Sequence, residues 1–198
     1  MSDFYKETEN IYRLEVPFYS VYTSVFLVRL TEGYALLDIA TTDSDVDDFI
    51  IPALERLGVR LCEIGTIVIS HGHGDHSGGL KRLLDHSPNI EIVRDVRALC
   101  ESVVTYKMSG HTTDCIGLFD KRDGTLISAD GLQGAGIGKY RCSLADSVAY
   151  RETLDRIRED ERVDRILFSH AYEPWYKNKM EGREEILSAL TECEKYIK

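Results

Sequence analysis

Ser70-His71-Gly72-His73-Gly74-Asp75-His76-Ser77-Gly78-Gly79 directly follows the apolar run Thr66-Ile67-Val68-Ile69. It places three imidazoles and one carboxylate within six positions. Histidine is the commonest metal ligand in proteins, and a carboxylate beside several imidazoles suits a borderline divalent ion such as zinc. The composition of the stretch therefore predicts a metal site at the end of a buried strand.

The spacing within the stretch supports this interpretation. Side chains repeat every second residue in extended backbone, so His71 and His73 leave the strand on the same side and reach one ion together. The glycines allow a tight turn, which aims Asp75 and His76 at a neighbouring point where a second ion would fit. The alternative is a polar loop whose imidazoles cap backbone groups or face solvent. Three of the six histidines lie here, which favours the metal interpretation.

The segment His71-Gly72-His73-Gly74-Asp75-His76 resembles the H-x-H-x-D-H signature of the metallo-β-lactamase superfamily of metallohydrolases. Members that hold two metals have a later His, then an Asp that bridges the metals, then a last His. The chain supplies this series in the same order, with Gly110-His111-Thr112, Leu126-Ile127-Ser128-Ala129-Asp130 and Ile166-Leu167-Phe168-Ser169-His170.

The resemblance implies a fold and a set of metal ligands. The fold would be α+β, a four-layer αβ/βα sandwich of the metallo-β-lactamase type. His71, His73 and His111 would hold one ion, and Asp75, His76 and His170 the other, with Asp130 as the bridge. We expect two Zn²⁺ ions, with Fe or Mn as other options. Nitrogen and oxygen ligands without a thiolate leave open positions, which suits catalysis rather than a closed structural site.

The expected reaction is metal-assisted hydrolysis by a metal-bridging hydroxide, with Asp75 relaying the proton to the leaving group. The ligand set resembles the thioesterase and lactonase branches, such as hydroxyacylglutathione hydrolase, more than the true β-lactamases. A small ester, thioester or lactone is the expected substrate. The family's usual Gly-His-Thr-Pro-Gly-Ser is Gly110-His111-Thr112-Thr113-Asp114-Cys115 here, so transfer of a known substrate does not follow.

Three other functions stay open. Flavodiiron-type reductases fit least, because they resemble a motif with Glu where this chain has His73, and they carry a flavin domain. Persulfide dioxygenases share the signature but use a single iron, held here by His71, His111 and Asp130; a complete second site argues against that mononuclear iron sulfur dioxygenase. A non-catalytic metal-dependent sensor or scaffold is the other alternative.

Asp38 ends the apolar segment Leu36-Leu37-Asp38-Ile39-Ala40, which resembles the family's apolar-Asp-Thr/Ser-Gly element with Ala40 in place of Gly. Two roles are open for it. The carboxylate accepts a hydrogen bond from a metal-ligating histidine, or it caps the helix that begins near residues 43–45.

The bulk properties exclude several classes. A chain of 198 residues suits a single domain over residues 1–198. The net charge of -10 argues against a nucleic-acid partner. The N-terminus lacks the features of a signal peptide, and no apolar run is long enough for a membrane span. We expect a cytoplasmic protein with a small-molecule substrate and no membrane association. Five cysteines with no Cys-x-x-Cys pair indicate reduced thiols.

Periodicity predicts the remaining elements. Strands are expected over residues 11–16, 25–30 and 34–38, and a helix over 45–57 kinked at Pro52. Helices are also expected over residues 77–85, 96–102, 145–159 and 183–197, with Val148 facing the core. Lys139, Tyr140 and Arg141 either reach substrate or form a solvated loop tip.

Overall fold

The fold is known from a computed structural model, which describes residues 2–132, 144–171, 177–195 and 197. The chain forms two compact units, residues 1–94 and 95–198, and each has a hydrophobic core of its own. The prediction of one domain over residues 1–198 stays a prediction.

The first unit is built on a six-stranded mixed sheet, ordered β1-β2-β3-β4-β5-β6. Its strands are β1 (Tyr5–Lys6), β2 (Ile11–Phe18), β3 (Val21–Arg29), β4 (Tyr34–Leu37), β5 (Ile64–Val68) and β6 (Glu91–Val93). The first four strands pair antiparallel, and β4, β5 and β6 run parallel. Because parallel strands end at the same edge, the residues after β4 and β5 lie side by side.

The helices of this unit are short. They are α1 (Asp43–Asp45), a π-helical turn (Val46–Ile50), α2 (Ile51–Leu57), α3 (Gly74–Ser77) and α4 (Leu80–His86). The π-helical turn precedes Pro52, so the predicted irregularity of this helix is confirmed. Proline has no N–H for the helical ladder, which explains why the regular pattern breaks there. Gly58 ends the helix in the left-handed conformation, with a φ of 80°.

The second unit contains a five-stranded sheet ordered β11-β10-β9-β8-β7. Its strands are β7 (Val103–Lys107), β8 (Ile116–Asp120), β9 (Thr125–Ile127), β10 (Arg165–Leu167) and β11 (Lys179–Glu181). Strand β8 runs antiparallel to both β7 and β9, and β9 runs parallel to β10. Strands β7, β9 and β10 therefore point the same way and end at one edge of the sheet.

Two long helices cover this sheet, α5 (Ser147–Glu159) and α6 (Arg183–Glu194). Tyr150, Leu154 and Ile157 of α5 are fully buried. The prediction for Val148 is wrong, because this side chain is 66% exposed. It lies one residue past the start of α5, where Asp146 accepts hydrogen bonds from the N–H groups of Val148 and Ala149, and no element in the described part of the chain covers the side chain.

The predicted helix over residues 96–102 is also wrong. That segment is irregular, and Ala98 forms an isolated bridge with Val104. The Thr105 hydroxyl accepts a hydrogen bond from the Arg97 N–H at 2.6 Å, and the N–H of Leu99 donates to the Val103 carbonyl at 2.9 Å. A stretch this short cannot nucleate a stable helix alone, so pairing with the following strand prevails.

No helix in the described ranges is both long enough and apolar enough to cross a membrane.

Candidate metal centre

Four predicted ligands lie together at the end of β5, and we call them the first donor set: His71, His73, Asp75 and His76. The His71 Nε2 lies 3.0 Å from the His73 Nδ1, and the His76 Nε2 lies 3.6 Å from the Asp75 Oδ2. The rings of His71 and His76 approach with centroids 4.3 Å apart. His71 and His76 are buried, whereas His73 is exposed. The set is thus anchored on one side and open to solvent on the other.

The backbone around α3 fixes these side chains. The N–H of Ile39 donates to the His76 carbonyl at 2.8 Å, and the N–H of Gly78 donates to the Gly74 carbonyl at 2.8 Å. A Cβ at Gly78 would lie 1.8 Å from the carbonyl oxygen of Thr41, so only glycine allows this approach. Gly72 and Gly74 differ, because a Cβ at either position would meet nothing within 4 Å. The tight turn therefore depends on Gly78, whereas neither Gly72 nor Gly74 is needed to avoid a Cβ clash.

Asp38 lies against the first donor set and holds it in place through hydrogen bonds. Its Oδ1 accepts a hydrogen bond from the Ser70 N–H at 2.8 Å, and its Oδ2 lies 2.7 Å from the His76 Nδ1. Thr42, not Asp38, caps the following helix by accepting from the Asp45 N–H. Of the two roles open for Asp38, the structure thus shows the contact with a histidine. The Asp38 backbone takes a φ of 63°, and Ala40 follows at 53°, where the resemblance has Gly.

Thr23, which no sequence pattern indicated, also helps to hold the first donor set in place. Its fully buried hydroxyl donates to the Asp75 carbonyl at 3.0 Å, which ties β3 to the start of α3. We expect Thr23→Val to lower the free energy of unfolding by about 1 kcal/mol, since one buried hydrogen bond contributes about that much. Denaturant titration would measure the change.

Thr41 is the matched control for that substitution. Its Oγ1 is buried without a hydrogen-bond partner among the described residues, so Thr41→Val should leave the unfolding free energy unchanged or raise it. Equal losses in the two variants would contradict the assigned role of the Thr23 hydroxyl.

The second unit brings three other predicted ligands together, which we call the second donor set: His111, Asp130 and His170. The Asp130 Oδ2 lies 3.6 Å from the His111 Nε2, and its Oδ1 lies 3.3 Å from the His170 Nε2. Each carboxylate oxygen thus faces a different imidazole. All three residues are at least nine-tenths buried.

Sheet topology explains the second donor set. Its members follow β7, β9 and β10, which end at the same edge, although they are far apart in sequence. The start of α5 holds the His111 loop, because the N–H groups of Ala145 and Asp146 donate to the Gly110 carbonyl at 2.9 and 3.2 Å. The Thr153 hydroxyl donates to the Ser109 carbonyl at 2.7 Å.

Both donor sets fit a divalent metal chemically. They offer imidazole nitrogens and carboxylate oxygens, which are ligands that zinc accepts. Two ligand atoms that share one tetrahedral ion lie about 3.4 Å apart, given bonds of about 2.1 Å. The distances within the sets, from 3.0 to 3.6 Å, bracket that value.

The other candidate residues lie elsewhere. His86, the histidine outside the proposed ligand set, ends α4, and its Nε2 lies 2.9 Å from the Asp47 Oδ1. Arg82 also binds Asp47, and together the two basic side chains lower the pKa of the Asp47 carboxyl, Arg82 more strongly. Lys139, Tyr140 and Arg141 lie outside the described residues.

Comparison with known proteins places the sequence in context. A sequence model described as the Metallo-beta-lactamase superfamily matches residues 19–99. A hydroxyacylglutathione hydrolase from Methylobacillus flagellatus is 29% identical over 106 residues, which are 44% of this chain. The matched part spans only 42% of that relative.

Solved structures resemble almost the whole chain. The metallo-beta-lactamase FIM-1 from Pseudomonas aeruginosa, in its mono-zinc form, has a TM-score of 0.75 at 16% sequence identity. The match covers 98% of this chain and 95% of the FIM-1 chain. A metallo-beta-lactamase from Erythrobacter litoralis has a TM-score of 0.70 at 18% identity, with 96% of each chain covered.

At these identities the structural matches show the fold alone. They confirm the predicted fold class, the α+β sandwich of metallo-beta-lactamases. The predicted resemblance is therefore confirmed: residues 19–99 match the metallo-beta-lactamase superfamily, and the chain has the fold of that superfamily.

Proposed function

We propose that this chain is a metal-dependent hydrolase with two zinc ions, which attacks a small ester, thioester or lactone. One observation carries the proposal: each oxygen of the Asp130 carboxylate faces a different imidazole, at 3.6 Å for His111 and 3.3 Å for His170. A carboxylate placed in this way suits a bridge between two ions, which a single-ion site does not need.

We propose the ligands that the family resemblance implies. His71, His73 and His111 hold one ion, Asp75, His76 and His170 hold the other, and Asp130 bridges them. The distances within each donor set support this proposal. Neither set contains a thiolate, which is typical of catalytic sites.

The chain's own residues then divide the work. Zinc ions held by these residues would supply a water activated near neutral pH and would polarise the carbonyl oxygen of the substrate. The Asp75 side chain is 15% exposed, so its carboxylate is accessible to move a proton to the leaving group. Asp38 keeps the Nδ1 of His76 engaged and so directs the other ring nitrogen, Nε2, toward Asp75.

The proposed substrate class rests on the chemistry of a distant relative. The distant similarity to a hydroxyacylglutathione hydrolase supports a thioester, with other small esters and lactones as related substrates. The chain departs from the family pattern after His111, where Asp114 is exposed and Cys115 is fully buried. The exposed Asp114 adds a negative charge to this loop. That charge disfavours a substrate whose own negative charge would lie near Asp114.

We also propose a cytoplasmic location, with no nucleic-acid partner and no membrane association. The net charge of -10 supports the absence of nucleic acid. Among the described residues, Cys62, Cys100, Cys115 and Cys193 form no disulfide, which suits a reducing compartment.

The metal content of protein purified without added metal tests this function. Elemental mass spectrometry should find about two zinc ions per chain, falling toward one in His170→Ala because the second ion loses a ligand. His86→Ala is the matched control, since this partly exposed histidine binds Asp47 and should leave the content at two. One iron per chain, unchanged in His170→Ala, would contradict the two-zinc hydrolase and favour a mononuclear iron dioxygenase.

A substrate panel completes the test. Thioesters, lactones and chromogenic esters should be hydrolysed by the zinc-loaded protein, and chelation should abolish turnover. Failure on every substrate with both ions bound would contradict the hydrolase and favour a metal-dependent sensor or scaffold.

A further inference from the structure

Ser70 lies between Asp38 and His71 and is fully buried. Its hydroxyl oxygen lies 2.8 Å from the Asp38 Oδ2 and 3.0 Å from the His71 Nδ1. Its backbone N–H donates to the other Asp38 oxygen at 2.8 Å. The hydroxyl therefore touches a carboxylate on one side and a proposed metal ligand on the other.

Counting protons fixes the direction of these hydrogen bonds. A carboxylate only accepts hydrogen bonds, whereas a serine hydroxyl has one proton to donate. Ser70 thus donates to Asp38 and must accept from His71, which places the imidazole proton on Nδ1. In a neutral imidazole the other nitrogen then has a lone pair. That nitrogen is the His71 Nε2, which lies 3.0 Å from the His73 Nδ1.

The same carboxylate oxygen sets His76. The His76 Nδ1 lies 2.7 Å from the Asp38 Oδ2 and donates to it, which leaves the lone pair on Nε2. A single oxygen of Asp38 therefore fixes the tautomers of two histidines, His76 directly and His71 through Ser70. In the proposed ligand set these two histidines bind different ions.

We propose that Ser70 is a positioning residue that relays the Asp38 carboxylate to His71 and makes Nε2 the metal-binding nitrogen of that ring. Asp38 then governs both proposed ions, while Ser70 governs only the ion held by His71. The assignment of ions rests on the proposed function, but the tautomer assignment does not.

Ser169 provides a matched control within the chain. It is fully buried after β10 and directly precedes His170, as Ser70 follows β5 and directly precedes His71. Its hydroxyl has no hydrogen-bond partner among the residues described. Ser169→Ala therefore removes the same group from a similar place without removing a relay.

Nitrogen-15 NMR of the imidazole rings in metal-free protein, above pH 8, tests the relay directly. The wild type should show both His71 and His76 protonated on Nδ1. Ser70→Ala should shift His71 toward the Nε2–H tautomer and leave His76 unchanged, Ser70→Thr should restore the wild-type spectrum, and Ser169→Ala should not alter it. A wild-type His71 protonated on Nε2, or no change in Ser70→Ala, would overturn the proposal.

Zinc titration of the same variants tests the consequence for binding. Ser70→Ala should weaken one of two ions by about 10-fold or more, as loss of a hydrogen-bond partner behind a ligand commonly does, and Ser169→Ala should weaken neither. Unchanged zinc affinity in Ser70→Ala would overturn the positioning role. If the wild type binds no zinc, the proposed function fails, whereas the NMR result still decides the relay.

Discussion

Asp38→Asn is expected to weaken both proposed zinc ions by about 10- to 100-fold each while the fold persists. Asparagine has the shape of aspartate but offers one acceptor oxygen and one donor NH₂ group. With its oxygen on the Ser70 N–H, the NH₂ group faces both the Ser70 hydroxyl and the His76 Nδ1. Both histidines must then move their proton to Nε2, which can no longer bind a metal.

The backbone should tolerate this substitution. Asp38 has a φ of 63°, a left-handed conformation that asparagine adopts more readily than most residues. Zinc titration by calorimetry, together with a thermal unfolding curve of the metal-free variant, would separate loss of binding from loss of fold.

Asp120→Asn is the control for charge removal. Asp120 is also a fully buried carboxylate, but it is paired with Arg122 and ends β8, which runs antiparallel to β7 and β9. Its replacement should cost stability and leave zinc affinity unchanged. If Asp38→Asn lost only one ion, a single carboxylate would not govern both tautomers.

Gly78→Ala is expected to destabilise the protein by about 3 kcal/mol or more, at the upper end of what overpacking costs. The added Cβ would lie 1.8 Å from the Thr41 carbonyl oxygen and 2.6 Å from that of Gly74. Both obstacles are backbone atoms, so no side-chain rotation relieves the clash. Because His76 lies on the same turn, zinc binding should weaken as well.

Gly65→Ala is the matched control, because a Cβ at this strand residue meets nothing within 4 Å. It should change the free energy of unfolding by no more than about 0.5 kcal/mol in denaturant titration. A mild Gly78→Ala variant would show that the loop between β4 and α1 yields easily, contrary to the tight packing described.

Much of the secondary structure could be predicted, because hydrophobic periodicity and turn-forming residues act locally along the chain. Strands β2, β3 and β4 and helices α5 and α6 follow from hydrophobic periodicity and turn residues. The segment over residues 96–102 could not be predicted, because its apolar content suits a helix and only pairing with the following strand decides otherwise. The prediction that Val148 is buried failed for a similar reason, because periodicity along a helix does not show whether another element covers a given side chain.

The proposed ligands could be predicted from the sequence alone, because the H-x-H-x-D-H spacing and the later His-Asp-His series need only the order of residues along the chain. The tertiary structure alone decided how the ligands are held. The hydrogen bonds that hold them join residues far apart in the chain: Ser70 and Asp38 are 32 positions apart, and Thr23 and Asp75 are 52 positions apart. Such contacts arise from sheet registration, which no local pattern of hydroxyls or carboxylates encodes.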